Sequence, residues 1–310
     1  GKNQKGMGIS FDSSVSFDEV RNLIPIQSTY GGGATYPTAS GFNEFTQDGV
    51  GYLAPNYAKD GSWGPRFNPN TLVRHWDSWD PGSSNYKETR PWSAPKNSYD
   101  SFFDTGVTLM NTVALSGSNE NGSYRVSYSN LDQKGVMPGG ELQRNTVNIN
   151  TNYKLSERLK SNVALTYVKT EAQNRNVTGY NNANPLQGFT QWWQSQLDVE
   201  RLREQQNTSE GNQYTWNPVG ITTDANGVLQ SFNPTPNYFD NPSWNRDNML
   251  QEDIKNRVFG NANLSYDITD NLNISTQFGT DFFQFSIREG IPLRSVDGSR
   301  YEETERKFQE

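Results

Sequence analysis

The sequence predicts an all-β chain, an antiparallel up-and-down transmembrane β-barrel segment of about seven strands with long loops at one end. Three observations predict it. Apolar and polar residues alternate with period two in separate stretches, as in strands that show each face to a different environment. The connections between those stretches alternate long or moderate with tight, so that in a meander every tight turn falls at one end and every long loop at the other, as in barrels that span a membrane. No apolar run approaches the roughly 18 residues that a membrane-spanning helix needs, a test that leaves strands untouched.

The first strand runs from Met7 to Phe17, with Ile9, Phe11, Val15 and Phe17 on one face and Ser10, Asp12, Ser14 and Ser16 on the other. The second, Thr105 to Ser116, sets Val107, Leu109, Val113 and Leu115 against Thr108, Thr112, Ala114 and Ser116. Asn121-Gly122 is a hairpin signal, and beyond it Tyr124, Val126 and Tyr128 oppose Ser123, Arg125, Ser127 and Ser129. In the fourth strand, Asn145 to Leu155, Val147, Ile149, Thr151 and Tyr153 face away from Asn148, Asn150 and Asn152. After Ser156-Glu157-Arg158 the fifth places Leu159, Val163, Leu165 and Tyr167 against Asn162, Ala164 and Thr166. The sixth alternates Val258, Leu264, Tyr266 and Ile268 with Asn261, Asn263 and Ser265. Thr269-Asp270-Asn271 then turns into a seventh, in which Leu272, Ile274, Phe278 and Phe282 oppose Asn273, Ser275, Gln277 and Asp281. Polar faces of Asn, Ser, Thr and Gln suit a wet lumen better than the solvent face of a sandwich, where Lys and Glu dominate. Arg125, Asn148, Asn150, Asn152, Asn261 and Asn263 are therefore expected to face a lumen. The apolar faces are expected to meet lipid, with Tyr124, Tyr128, Tyr153, Tyr167 and Tyr266 near interfacial aromatic girdles.

The loops explain the composition. Only 32% of the 310 residues are hydrophobic, yet 13% are aromatic, and residues 20–104 and 171–253 are too long for idle connections. The first of these stretches holds Trp63, Trp76, Trp79 and Trp92 interleaved with Asp77 and Asp80, and the second holds Trp192 and Trp193. Trp faces stack on sugar rings or peptide side chains while carboxylates and amides fix polar groups. More often such rings pack a loop onto a partner or onto neighbouring loops. Three- and four-residue spacing predicts a short helix from Gln191 to Arg203. Gly31-Gly32-Gly33 lacks the strand, helix and Lys of a phosphate cradle and reads as flexible loop.

Several chemistries are excluded by residue count. With no Cys and His75 as the one histidine, disulfides, thiolate catalysis and multi-histidine metal sites fall away. Thirty-four acidic against 27 basic residues, a net charge of -7, argue against a nucleic-acid partner. His75 with Asp77 and Asp80 has no spacing that marks catalysis or a metal, so no enzyme activity, cofactor or metal ion is expected.

Specific segments carry a family resemblance. Gly1-Lys2-Asn3-Gln4-Lys5-Gly6 followed by Ile9 to Phe17 resembles the first barrel strand after the plug of SusC-like (RagA-like) TonB-dependent transporters. Phe102-Phe103-Asp104-Thr105-Gly106 running into Asn111 to Ser118, the stretch Tyr124 to Gly139, Arg144 to Asn150, and Asn184-Pro185-Leu186-Gln187 resemble the same family. The resemblance implies a bacterial outer-membrane barrel of about 22 strands with an N-terminal plug. It implies energy supplied by the TonB complex and import of oligosaccharides or peptides beneath a SusD-like surface lipoprotein. The chain departs from that pattern in having no TonB box, no plug domain and too few strands to close. Residues 1–310 are accordingly read as the N-terminal part of the barrel of a longer transporter, with 20–104 and 171–253 as extracellular loops. Two other readings compete. One is a soluble, secreted β-sandwich that binds carbohydrate on exposed aromatics; the other is a glycan-cleaving enzyme with paired carboxylates, for which no spacing selects a pair.

Overall fold

A computed structural model describes residues 6–21, 24–34, 40–297 and 302–309. The Gly1–Lys5 part of the first family-like segment lies outside the described residues. Eight strands form one antiparallel sheet in chain order: β1 (Gly6–Asp18), β2 (Gly106–Asn119), β3 (Gly122–Lys134), β4 (Glu141–Lys154), β5 (Leu159–Gln173), β6 (Leu250–Thr269), β7 (Leu272–Ile291) and β8 (Glu302–Gln309). The first seven are the strands read from period two. The eighth extends the sheet where the sequence showed only a polar tail. The sheet is open, with β1 and β8 at its edges.

Register joins the apolar positions into one surface. Val113 pairs with Tyr128, Tyr128 with Val147, Val147 with Tyr167, Tyr167 with Val258 and Val258 with Phe282. This face is bare: Phe11 and Phe278 at opposite ends of the sheet are 66% and 63% exposed. A sandwich would cover it with a second sheet, and among the described residues none lies there. The fold is an up-and-down antiparallel barrel segment with one bare apolar face.

Tight turns close one end. At Glu120-Asn121 the Asn119 side chain accepts both Asn121 N–H and Gly122 N–H, at 2.9 and 3.0 Å, so the turn sits one residue before the expected Asn-Gly. Gly122 is needed for a different reason, since a Cβ there would lie 2.1 Å from the carbonyl oxygen of Asn152 on β4. Ser156 Oγ accepts Arg158 N–H and Leu159 N–H in the next turn, and Thr269 Oγ1 accepts Asn271 N–H in the last.

At the other end the strands run farther than the alternation reached. Beyond Tyr128, Val147 and Tyr167 both faces turn polar, as at Asp132 opposite Gln143 and Lys134 opposite Glu141, so period two disappears while the hydrogen-bonded ladder continues. Ion pairs accompany it there, Arg288–Glu252 at 3.0 Å and Arg175–Asp253 at 3.1 Å.

On these extensions the two long connections fold together. The first contributes a hairpin, Asn43–Gln47 with Val50–Ala54, whose Asp48-Gly49 turn has positive φ at both residues, as a type I′ turn requires. It also pairs Asn68–Val73 with Arg90–Trp92. The second contributes the hairpin Pro218–Thr223 with Leu229–Pro236, a helical stretch formed by Pro185–Gln187 and Gly188–Trp192, and two further short helices, α1 (Val199–Glu204) and α2 (Pro242–Asn248). Asp198 caps α1 and Asn241 caps α2 through their side-chain oxygens. The helix expected from Gln191 to Arg203 is thus broken in the middle: Gln191 and Trp192 end the helical segment Gly188–Trp192 and Val199 to Arg203 lie in α1, while Gln194, Ser195 and Gln196 between them bind the backbone of the other connection at Asn56, Lys59, Tyr30 and Gly32 and stay out of a helix. One core unites both connections: Tyr57, Trp76, Tyr99 and Phe102 from the first with Phe189, Trp193, Leu197, Leu202, Tyr214, Trp216 and Phe239 from the second.

Gly31-Gly32-Gly33 is a tight crossing, where flexible loop was expected. A Cβ on Gly31 would lie 1.9 Å from the Trp92 ring and one on Gly32 would lie 2.3 Å from Gln194 Cδ. All three glycines are buried.

Candidate functional site

Register puts the amide and hydroxyl positions on the face opposite the apolar one. Ser116, Arg125, Asn150, Ala164 and Asn261 form one row across five strands, and Ser123, Asn152, Asn162, Asn263 and Gln277 form the next. Asn148 lies in a third row, where its Oδ1 accepts from Thr166 Oγ1 at 2.8 Å. All six residues expected to share a face do share it. On the opposite face the hydroxyls of Tyr128 and Tyr167 donate to Asn145 and Asn256, at 2.6 and 2.9 Å. They mark the loopward edge of the apolar surface, with the ring on the apolar side and the hydroxyl on the polar one.

The loop aromatics divide sharply. Trp76, Trp79, Trp92 and Trp193 are buried, with Trp76 2% and Trp92 0% exposed. Trp76 meets Tyr214 edge-on at 5.3 Å, Trp79 stacks on Phe232 at 4.6 Å, and Trp193 meets Trp216 at 5.9 Å. Trp92 packs on Phe42 and Phe67 and donates its indole N–H to the Pro65 carbonyl at 3.0 Å. Trp76, Trp79 and Trp193 sit in clusters that join the two connections, whereas Trp92 packs within the first. Trp63, by contrast, is 67% exposed beside Tyr30.

Asp77 and Asp80 are also interior. Asp77 is wholly buried and accepts from Arg90 Nη2 at 2.5 Å and from Arg201 Nε at 2.6 Å, joining the first connection to α1. Burial alone would raise its pKa, but the two guanidiniums outweigh that and hold it below the usual carboxylate range. Asp80 accepts Ser209 N–H and Oγ–H, both at 2.6 Å, and Gly82 N–H at 3.0 Å. Tyr214 Oη accepts the Trp79 and Asp80 backbone N–H groups, and burial pushes its pKa up to about 12. Burial lowers His75 to about 3, helped by nearby Arg90, so the imidazole is neutral and packs on Trp92.

One cavity of about 570 Å³ opens between the connections. Trp216 and Phe239 stack at 6.1 Å and 7° in its wall, with Trp192 tilted against Phe239 at 5.4 Å. Tyr180 and Tyr238, 74% and 53% exposed, stand at its edge with Lys59, Asp60, Asn182 and Asn237. Neither Lys59 nor Asp60 has an ion-pair partner among the described residues, and the buried Trp192 Nε1–H has no acceptor. Val296 reaches the cavity because the chain after β7 turns back, where Ser295 Oγ–H and Val296 N–H donate to Asp240 at 2.6 and 2.8 Å. Ring faces of this kind stack on planar or puckered rings, and the polar edge offers both donors and acceptors. Of the eight loop residues named from sequence, Trp192 alone lines this cavity. Tyr180, Trp216, Tyr238 and Phe239 were missed, although the Asn237-Tyr238-Phe239 run in a Pro- and Asn-rich stretch was a visible signal.

No family model matches the chain, and no curated protein matches it. Among solved structures it is similar to the RagAB peptide importer in the closed-closed state, with TM-score 0.58 and 13% identity, over 99% of this chain and 31% of that one. It is similar also to the same importer in the open-open state, with TM-score 0.51 and 14% identity over the same shares. The chain therefore spans about a third of those proteins' length. At such identity the likeness is one of fold: a run of antiparallel barrel strands with two long connections. The family-like segments Tyr124 to Gly139 and Arg144 to Asn150, on β3 and β4, point to the same proteins.

Proposed function

We propose that this chain is part of the barrel wall, with its extracellular loops, of a SusC-like TonB-dependent transporter that imports oligosaccharides or peptides across the bacterial outer membrane. The observation that carries the reading is the two-sided sheet. An apolar surface runs unbroken across the strands, an Asn-, Ser- and Thr-lined surface lies behind it, and a folded loop body sits at one end only. Arg125, Asn148, Asn150, Asn152, Asn261 and Asn263 then line a lumen, while Ile9, Phe11 and Phe278 face lipid. The cavity at Trp192 and the exposed Trp63 are the surfaces for solute or for a SusD-like lipoprotein lid. The buried Trp76, Trp92, Trp193 and Asp77 act through the shape they give the loops. The TonB complex acts through the plug of the parent protein, and no bond is made or broken.

The absence of cysteine from the chain permits a direct test. Single cysteines replace Val126, Ser127, Ile149 and Asn150 in the full-length protein, freed of any other cysteine, in intact cells. A water-soluble maleimide is expected to label positions 127 and 150 and to spare 126 and 149, with a lipid-soluble maleimide reversing the pattern. Equal labelling of neighbouring positions by the water-soluble reagent would place both faces in water and refute the membrane reading. Uptake of radiolabelled oligopeptides and oligosaccharides by the same cells, with and without TonB, then decides the substrate class.

A further inference from the structure

A second cavity, about 320 Å³, lies on the seam between the two connections and is built unlike the first. Its wall includes Arg74, Trp79 and Tyr86 from one connection and Tyr214, Glu210 and Phe232 from the other. Arg74 is 1% exposed. Its Nε–H and Nη2–H donate to the Ser78 carbonyl at 3.2 and 3.0 Å, and its Nη1–H donates to Gln47 Oε1. The guanidinium lies 3.9 Å from the Trp79 ring centre and about equally far from Tyr52 and Tyr86, at 5.5 and 5.4 Å.

No carboxylate pairs with it among the described residues, whereas Arg90 and Arg201 share Asp77. Burying a cation without a counter-ion is costly, and desolvation lowers the Arg74 pKa accordingly. The ring stacked under the guanidinium has a donor without an acceptor, since the Trp79 indole N–H is buried and unpaired. The two acids that line the cavity do not supply the charge. Asp80 is held by three donors from Ser209 and Gly82, and Glu210 is exposed.

We propose that the seam cavity binds a carboxylate of the solute, held by the Arg74 guanidinium and the Trp79 indole N–H with the body of the ligand against Phe232 and Tyr86. A guanidinium offers a planar fork matched to a carboxylate. Asp80 and Glu210 beside it select a single negative charge over a doubly charged phosphate. The carboxylate comes from a peptide C-terminus or from a uronic acid. The inference rests on the transport reading only in this choice of ligands.

The test is calorimetric titration of the full-length protein in detergent with a tripeptide, its C-terminal amide, a glucuronate-containing disaccharide and its methyl ester. At least one free acid is expected to bind ten-fold or more tighter than its neutral partner, and which one identifies the source. Arg74→Met is expected to erase the preference, and Trp79→Phe, which keeps the stack on Phe232, to weaken the acid several-fold. Should Arg74→Met lose the loop body's protease resistance, Arg74→Lys replaces it, and a reduced preference is expected from loss of the fork. Equal binding of acid and neutral partner by the unaltered protein overturns the proposal. So does an acid preference that survives both the Arg74 and the Trp79 substitutions. Either failure with the two-sided cysteine pattern intact removes the cavity and leaves the transport reading standing.

Discussion

Asp77→Asn removes the charge that ties the two connections together. The carboxylate is 0% exposed and faces two cations, the Arg90 and Arg201 side chains, which are 20% and 32% exposed. Breaking a buried ion pair costs about 3–5 kcal/mol, because the surviving partner is left uncompensated. Here the partners keep some solvent, and Glu88 lies 3.1 Å from Arg90 and 3.9 Å from Arg201 at the rim, which takes up part of the freed charge. The low end, about 3 kcal/mol, is therefore expected, or about 10²-fold in an opening equilibrium. The loss falls on the loop body, since Asp77 touches no barrel strand. Hydrogen exchange of the full-length protein in detergent reads it directly: amides of Val199–Glu204 and Arg90–Trp92 are expected to exchange about 10²-fold faster while β3 and β4 are unchanged. A change below about three-fold in both segments would show that hydrophobic packing alone fixes the seam.

The other predictions test the same assembly at separate points. His75 is neutral with a pKa lowered to about 3, so the unfolded state binds more protons between pH 6.5 and 3 and the loop body loses stability as pH falls through that window; His75→Gln is expected to flatten that dependence in a protease-resistance titration. Gly260→Ala puts a Cβ 2.1 Å from the Ala164 carbonyl oxygen across β5 and β6. It is expected to cost about 1–3 kcal/mol and to lower the temperature at which the barrel loses its compact electrophoretic form. Gly279→Ala, whose nearest neighbour is at 3.9 Å, leaves that temperature unchanged. Phe278→Arg is expected to cost about 2–4 kcal/mol in a bilayer and to reduce the membrane-inserted fraction, whereas Gln277→Arg, one residue away on the opposite face, is tolerated. Equal effects of the two would remove lipid from the Phe278 face.

The strands were legible because each residue in their middle stretches belongs to one of two unlike faces, apolar or polar, and period two records which. Ile149 and Asn150 differ by one position and by the whole thickness of the sheet, and no other part of the chain is needed to place them. Legibility ended where the solvent became the same on both sides. At Asp132, Gln143 and Glu171 both faces are wet, so the ladder runs on without an alternation to betray it. The eighth strand, Glu302–Gln309, shows no alternation of apolar and polar residues in its sequence, with Phe308 as its one apolar residue.

The loop body fails to show in the sequence for a different reason. Its core is assembled from single rings far apart in the chain, such as Trp76 against Tyr214 and Tyr99 against Phe189, and its backbone is irregular, so no period links them. A tryptophan in a polar stretch then looks the same whether it awaits a solute or closes a core. What separates the two cases is whether the rest of the chain supplies a cover and an acceptor. Trp92 has both, the ring enclosed and the N–H bound to Pro65, and the glycine at position 31 is the mark its ring leaves in the sequence. Trp192 is only half covered and its N–H is unpaired, although it adjoins Trp193 in the core. The glycine run that looked like slack chain is thus the better guide to the core, and the uncovered member of the Trp192-Trp193 pair the better guide to the site.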